Sequence, residues 1–210
     1  AMLGLPTSAP ELLPRMAHIE SEPVGRPLDV YTGVLFDALG AATLPGAASG
    51  GIDGVRVIVT SALFGIVDCA NDAIPAYRLS AGSTVSRLGK ASTWWKKHLA
   101  PVAAALPDRS PVTVDCRSGA YRSMMPLKGE CVLEVVPVAE VDGKRKVVSH
   151  DAKRYRGLVA RALLKHDAVP QSPSDVVYVL RHEFGDALGV ELTRGSHASV
   201  LTIVDRWEKR

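Results

Sequence analysis

The chain has little of what would place it in a specialised class of protein. Its three cysteines are too few and too scattered for a disulfide framework or a Cys-rich metal site, and aromatic residues make up only 5% of the sequence. No apolar run approaches the roughly 20 residues that a membrane-spanning helix needs. The six histidines form no HxH or HExxH spacing, and P-loop, GxGxxG and nucleophile-elbow motifs are absent from the sequence. The sequence therefore predicts no metal, no cofactor and no membrane partner, and it does not decide whether the protein is an enzyme.

The composition that is present is that of one globular domain. Hydrophobic residues make up 47% of the 210 residues and charged residues 22%, which is enough for a sizeable core. Lys and Arg exceed Asp and Glu by 25 to 22, so any basic surface must be local. The odd number of cysteines fits a reducing compartment and predicts a cytoplasmic protein.

Strand and helix signals alternate along the chain. Strands are predicted over residues 55–60 and 112–116, and a hairpin over residues 131–149 turns at Asp142-Gly143. Helices are predicted over residues 31–39, with Val34 inward, and over residues 94–105, capped by Ser92 and bent at Pro101. A flexible connection is expected at residues 47–54.

The C-terminal part has the clearest boundaries. A long helix is predicted over residues 151–166, and a second helix begins at Pro173 behind the cap Ser172 and ends before Gly185. Strands follow at residues 190–192 and 200–204. Crossovers mixed with hairpins predict one α/β (mixed α+β) domain, a mixed central sheet flanked by helices, over residues 31–210 behind a Pro-rich N-terminal arm of residues 1–30.

Several short motifs occur in order between Tyr31 and Arg161. They are Tyr31-Thr-Gly-Val34, Ser61-Ala-Leu-Phe-Gly65, Pro75-Ala-Tyr-Arg-Leu79, Asp115-Cys-Arg-Ser-Gly-Ala-Tyr121, and Ser149-His150 followed by Lys153, Arg156 and Gly157. Together and in this order they resemble the YaaA-like peroxide-stress-resistance family. The resemblance implies a cytoplasmic bacterial protein linked to oxidative stress and iron control, with DNA binding, and it implies no particular reaction.

The resemblance is incomplete at the N-terminus. Family members open with a hydrophobic strand and a turn ahead of the Tyr-Thr-Gly block, and none of the thirty residues before Tyr31 has that pattern. If the family strand lies beside residues 55–60, its absence exposes a sheet edge that invites pairing with another chain. We therefore expect either a homodimer through this edge or a separate N-terminal fragment retained with the chain.

Polar residues follow two of the predicted strands. Ser61 follows the first strand, and the second leads into a polar loop containing Asp115, Arg117, Ser118 and Tyr121. If the two strands are parallel neighbours, these side chains share one rim, where open α/β sheets bind ligands. Asp115 is then the candidate general base and Tyr121 the second candidate catalytic residue. The alternative is that Asp115 and Ser118 cap the next short helix.

Cations supply the remaining candidates. Tyr77 and Arg78 lie together in a loop, an arrangement that suits a planar or anionic ligand. On the predicted helix 151–166, Lys153 and Arg156 flank Gly157, whose presence inside a helix indicates close approach by another backbone or by a ligand. Arg154, Arg161 and Lys165 share a different flank, which is most simply a solvated stripe.

The sequence predicts a cationic cleft that binds an anionic ligand, nucleic acid or a nucleotide first, through Ser61, Tyr77, Arg78, Arg117, Ser118, Lys153 and Arg156. The alternative is a small-molecule biosynthetic enzyme acting on a phosphate- or carboxylate-bearing substrate, followed by a nonenzymatic scaffold acting through the Pro-rich arm. The run Trp94-Trp-Lys-Lys-His98 has the composition of a nucleic-acid stacking platform, although such tryptophans are more often core residues.

Overall fold

The structure is a computed structural model that describes residues 12–44, 54–148 and 151–207. Its helices, in chain order, are α1 (Leu12–Ala17), α2 (Pro27–Val30), α3 (Val34–Leu39), α4 (Ala91–His98), α5 (Ala100–Ala105), α6 (Gly119–Met124), α7 (Ala152–Lys165) and α8 (Pro173–Phe184). Its strands are β1 (Val24–Gly25), β2 (Ile58–Ser61), β3 (Gly65–Asp68), β4 (Ile74–Pro75), β5 (Thr84–Val85), β6 (Gly89–Lys90), β7 (Thr113–Asp115), β8 (Gly129–Val141), β9 (Lys144–Val147), β10 (Gly189–Thr193) and β11 (Ala198–Trp207). The predicted mixed α/β class is confirmed.

The chain divides into two compact units. The ribbon unit takes residues 1–32, 46–102 and 118–126, and the sheet unit takes residues 33–45, 103–117 and 127–210. The chain passes from one to the other five times, so the units are interleaved parts of one domain rather than successive domains. The predicted boundary between residues 30 and 31 stays a prediction, and the predicted connection at 47–54 and the Ser149-His150 motif fall mostly outside the described residues.

The sheet unit is built on one mixed sheet. Four of its strands lie side by side in the order β10-β11-β8-β7, and the fifth strand, β9, pairs with β8. β8 is parallel to β7 and β11, whereas the pairs β8–β9 and β10–β11 are antiparallel. At the β8–β9 turn Asp142 and Gly143 both have positive φ, of 50° and 72°, as the predicted tight hairpin requires.

Helices α7 and α8 contribute the apolar side chains that cover this sheet. Both helices present one apolar face, so the sheet and the helices bury a single cluster. It contains Leu133, Val135, Tyr155, Val159, Ala162, Val176, Val177, Leu180, Val190, Leu201 and Ile203. The boundaries of α8 are confirmed, because Ser172 Oγ accepts a hydrogen bond from Asp175 N at 3.2 Å, Pro173 opens the helix and Gly185 ends it.

The ribbon unit has three two-stranded ribbons, β1–β4, β2–β3 and β5–β6, among its described residues. The described part of the predicted arm is folded into this unit, since Val24 pairs with Pro75 in the β1–β4 ribbon and Met16 is buried. α4 and α6 pack against each other within the same unit.

Four predictions about these elements are wrong. β2 pairs with β3 and β7 pairs with β8, so the two strands expected to be parallel neighbours lie in different sheets. The predicted bent helix is two helices, α4 and α5, because Pro101 lacks the N–H that would continue α4 and instead lies in the first turn of a new helix. Lys90, and not Ser92, occupies the N-cap of α4, and Ser92 is buried. Val34 is 48% exposed, while Leu39 is the buried residue of α3.

Candidate functional site

A chain of three hydroxyl groups lies in the ribbon unit. Ser61, at the end of β2, is 1% exposed, and its Oγ lies 2.7 Å from the hydroxyl of Tyr77. The hydroxyl of Tyr77 lies 3.1 Å from that of Tyr31. Two predicted site residues, Ser61 and Tyr77, are therefore in direct contact.

The direction of these hydrogen bonds follows from the environment of Ser61. Its Oγ accepts from the backbone N–H groups of Leu63 and Phe64, at 3.2 and 2.9 Å. A serine oxygen has two acceptor lone pairs, so both are occupied and the Ser61 hydroxyl donates to Tyr77. The Tyr77 hydroxyl therefore accepts from Ser61, and its second hydroxyl contact is with Tyr31. The loop after β2 thus orients the tyrosine beside Arg78.

Burial raises the pKa of two tyrosines of the ribbon unit, Tyr31 and Tyr121. Desolvation, followed by the hydrogen bond with Tyr77, raises the pKa of Tyr31 well above its ordinary value. Desolvation also raises the pKa of Tyr121. Protonated tyrosines donate hydrogen bonds, which suits ligand binding at neutral pH more than proton abstraction.

Aromatic rings surround Tyr77. Phe64 and Tyr31 both meet its ring edge-on, with centroids 5.4 and 6.1 Å away. Arg78 follows Tyr77 directly and is exposed, while its backbone N–H contacts the sulfur of Met16 at 3.3 Å. A fixed tyrosine and an exposed guanidinium are therefore neighbours in sequence, as an anion site with an aromatic component requires.

A second group of candidates lies in the sheet unit, at the end of β7. Asp115 is 4% exposed, and the guanidinium of Arg117 donates to both of its carboxylate oxygens, at 2.8 and 2.7 Å. The backbone N–H of Arg117 also donates to Asp115, at 3.0 Å. This bidentate geometry makes Asp115 the residue that orients Arg117. Ser118 occupies the N-cap position of α6, but its side chain makes no capping hydrogen bond. The alternative that Asp115 and Ser118 cap this helix is therefore confirmed only for the position of Ser118.

On α7 the two predicted cations have different surroundings. Lys153 is exposed, whereas Arg156 is half-buried and its Nε donates to the carbonyl of Val135 on β8 at 3.3 Å. The close approach predicted at Gly157 is confirmed, and the approaching group is a backbone. A Cβ at this position would overlap the carbonyl of Leu35 and the side chain of Ala38, both on α3.

Arg161 does not belong to a solvated stripe. Its guanidinium donates to the carbonyls of Leu39 and Gly40, at 3.0 and 3.1 Å, and to the hydroxyl of Thr43 at 3.0 Å. These carbonyls form the C-terminus of α3, which has no intrahelical donors for them. Arg161 is thus a capping residue, and Gly157 and Arg161 together fasten α3 to α7.

The candidates therefore fall into two groups. The ribbon unit holds Ser61, Tyr77, Arg78, Ser118 and Tyr121, and the sheet unit holds Asp115, Arg117, Lys153 and Arg156. That all of them share one site stays a prediction. Sequence reasoning gave no role to Tyr31 or Phe64, although both lie in motifs that carried the family resemblance.

The described residues contain no group of three or more His, Cys, Asp or Glu side chains that could hold a metal ion. Burial raises the pKa of Cys69 to about 12, so this thiol stays protonated at neutral pH and is a weak nucleophile. None of the helices described is long and apolar enough to cross a membrane.

Comparison with known proteins places these motifs in a common context. Residues 9–182 match the family described as peroxide stress protein YaaA. A UPF0246 protein of Corynebacterium glutamicum is 35% identical over 188 residues, which cover 89% of this chain and 72% of that protein. A UPF0246 protein of Streptomyces coelicolor is 36% identical over 156 residues, covering 73% of this chain and 58% of its own length. A third, from Paracidovorax citrulli, is 31% identical over 156 residues, covering 68% of this chain and 56% of its own.

Proposed function

This chain belongs to the peroxide stress protein YaaA family, and from that premise we propose that it is a cytoplasmic protein that binds an anionic ligand during peroxide stress. The ligand we propose is nucleic acid or a nucleotide. The observation that carries the proposal is the exposed Arg78 beside Tyr77, whose hydroxyl is fixed by Ser61 and Tyr31. An oriented aromatic ring beside a free-standing cation suits a base and its phosphate.

The sheet unit supports the same chemistry. The guanidinium of Arg117 is already paired with the buried Asp115, so Lys153 and Arg156 are the cations of this unit that support the proposal. Lys153 and Arg156 lie three residues apart on α7, which is about one helical turn. The exposed Lys153 therefore has a second cation, Arg156, as its neighbour on the helix.

Calorimetry against a panel of nucleotides and duplex DNA tests the ribbon-unit group. Arg78→Ala should weaken binding by roughly tenfold or more, because a charge-assisted hydrogen bond contributes about 1.5–3 kcal/mol. Arg26→Ala is the matched control, since it removes the same charge from the same unit but its guanidinium already pairs with Asp29 at 2.7 Å. Equal losses in the two variants, or no binding by the parent, contradict the assignment.

The α7 group has its own control pair. Arg156→Ala should weaken binding far more than Arg154→Ala, because Arg154 is exposed and its guanidinium lies over the ring of Tyr155, 5.8 Å from the centroid. Thermal unfolding of both variants separates a binding defect from a folding defect, since Arg156 also contacts β8. The role in stress is tested by peroxide survival of a deletion strain complemented with the parent or with Arg78→Ala.

A small-molecule enzyme is the second candidate, and the Ser61–Tyr77–Tyr31 chain of hydroxyl groups favours it. Such a chain can pass a proton to a phosphate- or carboxylate-bearing substrate. Mass spectrometry of material that co-purifies with the chain separates the candidates: a small metabolite other than a nucleotide favours the enzyme, and nucleic acid or a nucleotide favours the first proposal.

The proposed assembly is a homodimer. β2, the strand expected to have an open edge, pairs with β3 in a two-stranded ribbon. Light scattering and intact-mass analysis check this proposal, and a lone monomer of 22.3 kDa contradicts it.

A further inference from the structure

Positive charge is concentrated in one part of the ribbon unit. From Ala73 to Pro107 the sequence runs for 35 residues without an Asp or Glu, yet contains five cations: Arg78, Arg87, Lys90, Lys96 and Lys97. All five are exposed, and none forms an ion pair with any residue that the structure describes. In the rest of this unit Arg15, Arg26 and Arg56 each pair with a carboxylate. A local basic region therefore exists although the net charge of the chain is only +3.

Helix α4 sorts this stretch into two faces. Ala91, Ser92 and Leu99 are buried, and Trp95 lies on the same side, where its Nε1 donates to the carbonyl of Ala62 at 2.7 Å. The other face consists of Lys90, Trp94, Lys97 and His98, and we call it the α4 face. These four residues are four, three and one positions apart in sequence, a spacing that places them on one side of a helix.

An aromatic stack lies on the α4 face. The rings of Trp94 and His98 are nearly parallel, with an interplanar angle of 21° and centroids 3.8 Å apart. The Nδ1 atom of His98 lies 2.8 Å from the carbonyl of Trp94, which fixes the imidazole. His98 is exposed, with Trp94 stacked on its ring and the ring of Trp95 6.5 Å away at an angle of 79°. An exposed imidazole held in one orientation is a surface on which a planar group can stack.

We propose that the α4 face binds single-stranded nucleic acid, with a base stacked on the imidazole of His98 and phosphates against Lys90 and Lys97. The proposal rests on the proposed function, because it names the form of nucleic acid and the surface that contacts it. Stacking on a side chain needs a base whose face is open, which single strands offer and an intact duplex does not. The two lysines supply the sequence-independent attraction for the backbone.

An anionic lipid surface is the competing partner for a basic face that contains a tryptophan. A lipid surface is less favoured here because the ring of Trp94 is stacked against His98 and is half-buried. This ring is therefore not free to insert into a bilayer. The face also lacks aliphatic side chains, which provide most of the affinity of amphipathic helices for membranes.

Fluorescence anisotropy with a labelled oligothymidylate of about 12 nucleotides tests the proposal, since one binding surface covers about 4–16 nucleotides. His98→Ala should weaken binding by about tenfold or more, and His98→Phe should restore most of it by keeping the stack. Lys97→Ala should weaken binding and reduce the slope of log K against log salt by about one. Lys96→Ala is the matched control, because it removes the same charge from the other side of α4.

The outcomes are separable. Equal effects of Lys97→Ala and Lys96→Ala, no effect of His98→Ala, or binding of anionic phospholipid vesicles but not of the oligonucleotide would each overturn the proposal. Oligonucleotide binding that depends on Arg78 but not on the α4 face would overturn it and leave the proposed function standing. Dependence on the α4 face but not on Arg78 would support it and remove the role given to Arg78.

Discussion

Different interactions stabilise each of the two units of this chain. The sheet unit buries one apolar cluster to which its strands and the helices α7 and α8 contribute. The ribbon unit has two-stranded ribbons and short helices, and two buried polar side chains connect its segments: Ser61 contacts Tyr77, and Asp68 accepts from the exposed Arg56. An isolated two-stranded ribbon is marginal in water, so side-chain hydrogen bonds must supply part of what an extended sheet supplies elsewhere.

This difference bears on where the proposed binding residues lie. Loops held by polar networks can expose cations and aromatic rings without disturbing an apolar core. The ribbon unit accordingly carries the exposed cations of residues 73–107, whereas Arg156 and Arg161 in the sheet unit bind backbone carbonyls. Four variants test the comparison between the units.

The largest effect is expected in the apolar core of the sheet unit. Leu201 on β11 is fully buried, so Leu201→Ala should cost about 2–5 kcal/mol of unfolding free energy through lost burial and a cavity. Leu192→Ala on the neighbouring strand β10, where the side chain is 37% exposed, should cost much less. Denaturant unfolding measures both. Similar losses would mean that the cluster is not the main source of stability.

Alanine substitution of the two helical glycines, Gly157 and Gly119, should have opposite effects on stability. Gly157→Ala should destabilise by about 1–3 kcal/mol, because the new methyl group overlaps α3 and overpacking outweighs the gain in helix propensity. Gly119→Ala on α6 meets nothing within 4 Å and should be neutral or stabilise by up to about 1 kcal/mol. Thermal unfolding compares them, and a stabilised Gly157→Ala would contradict the close approach of α3.

The carboxylate of Asp68 in the ribbon unit should make the free energy of unfolding depend on pH in the acid range. Burial alone would raise the pKa of Asp68, but hydrogen bonds from Asn71, the Ala70 N–H and Arg56 outweigh burial and lower it. A lowered folded-state pKa adds stability above the unfolded-state value of about 3.9, and this stability is lost as the pH falls through the folded-state pKa. Asp68→Asn should cost about 1–2 kcal/mol near neutral pH and remove part of the acid sensitivity. Denaturant unfolding across the acid range measures this.

Asp29→Asn is the control for that experiment. Asp29 also pairs with an arginine, but both side chains are about half exposed, at 48% and 46%. Its loss should change stability by less than about 1 kcal/mol. An acid response that is the same in both variants would show that Asp68 is not special.

The smallest effect is expected from a single hydroxyl. Tyr77→Phe leaves the buried Ser61 hydroxyl without its acceptor and should cost about 1 kcal/mol. Tyr178→Phe, on α8 where the side chain is 68% exposed, should change little. Chemical denaturation checks both variants, and an unchanged Tyr77→Phe would indicate that water replaces the lost partner.

Local signals predicted a large part of this fold. The Asp142-Gly143 turn, the long helix α7, and the Ser172, Pro173 and Gly185 boundaries of α8 depend on backbone preferences that act within a few residues. The family was also accessible from the motifs, whereas the hydrogen bond between Ser61 and Tyr77 was not. Predictions that required a partner distant in sequence failed: the pairing of β2, the burial of Val34 and the role of Arg161.

The sequence by itself determined the Asp142-Gly143 turn, the boundaries of α7 and α8, the glycine that indicates close approach by another backbone or by a ligand, and the acid-free stretch that makes one region basic. Each depends on the identity of residues near one another in the chain. Only the tertiary structure decided which strand pairs with which, that α3 fills the space beside Gly157, and that Arg161 caps α3. Strand pairing and capping depend on unsatisfied backbone groups from remote segments, and many segments offer the same N–H and C=O groups. Geometry, and not residue identity, selects among them.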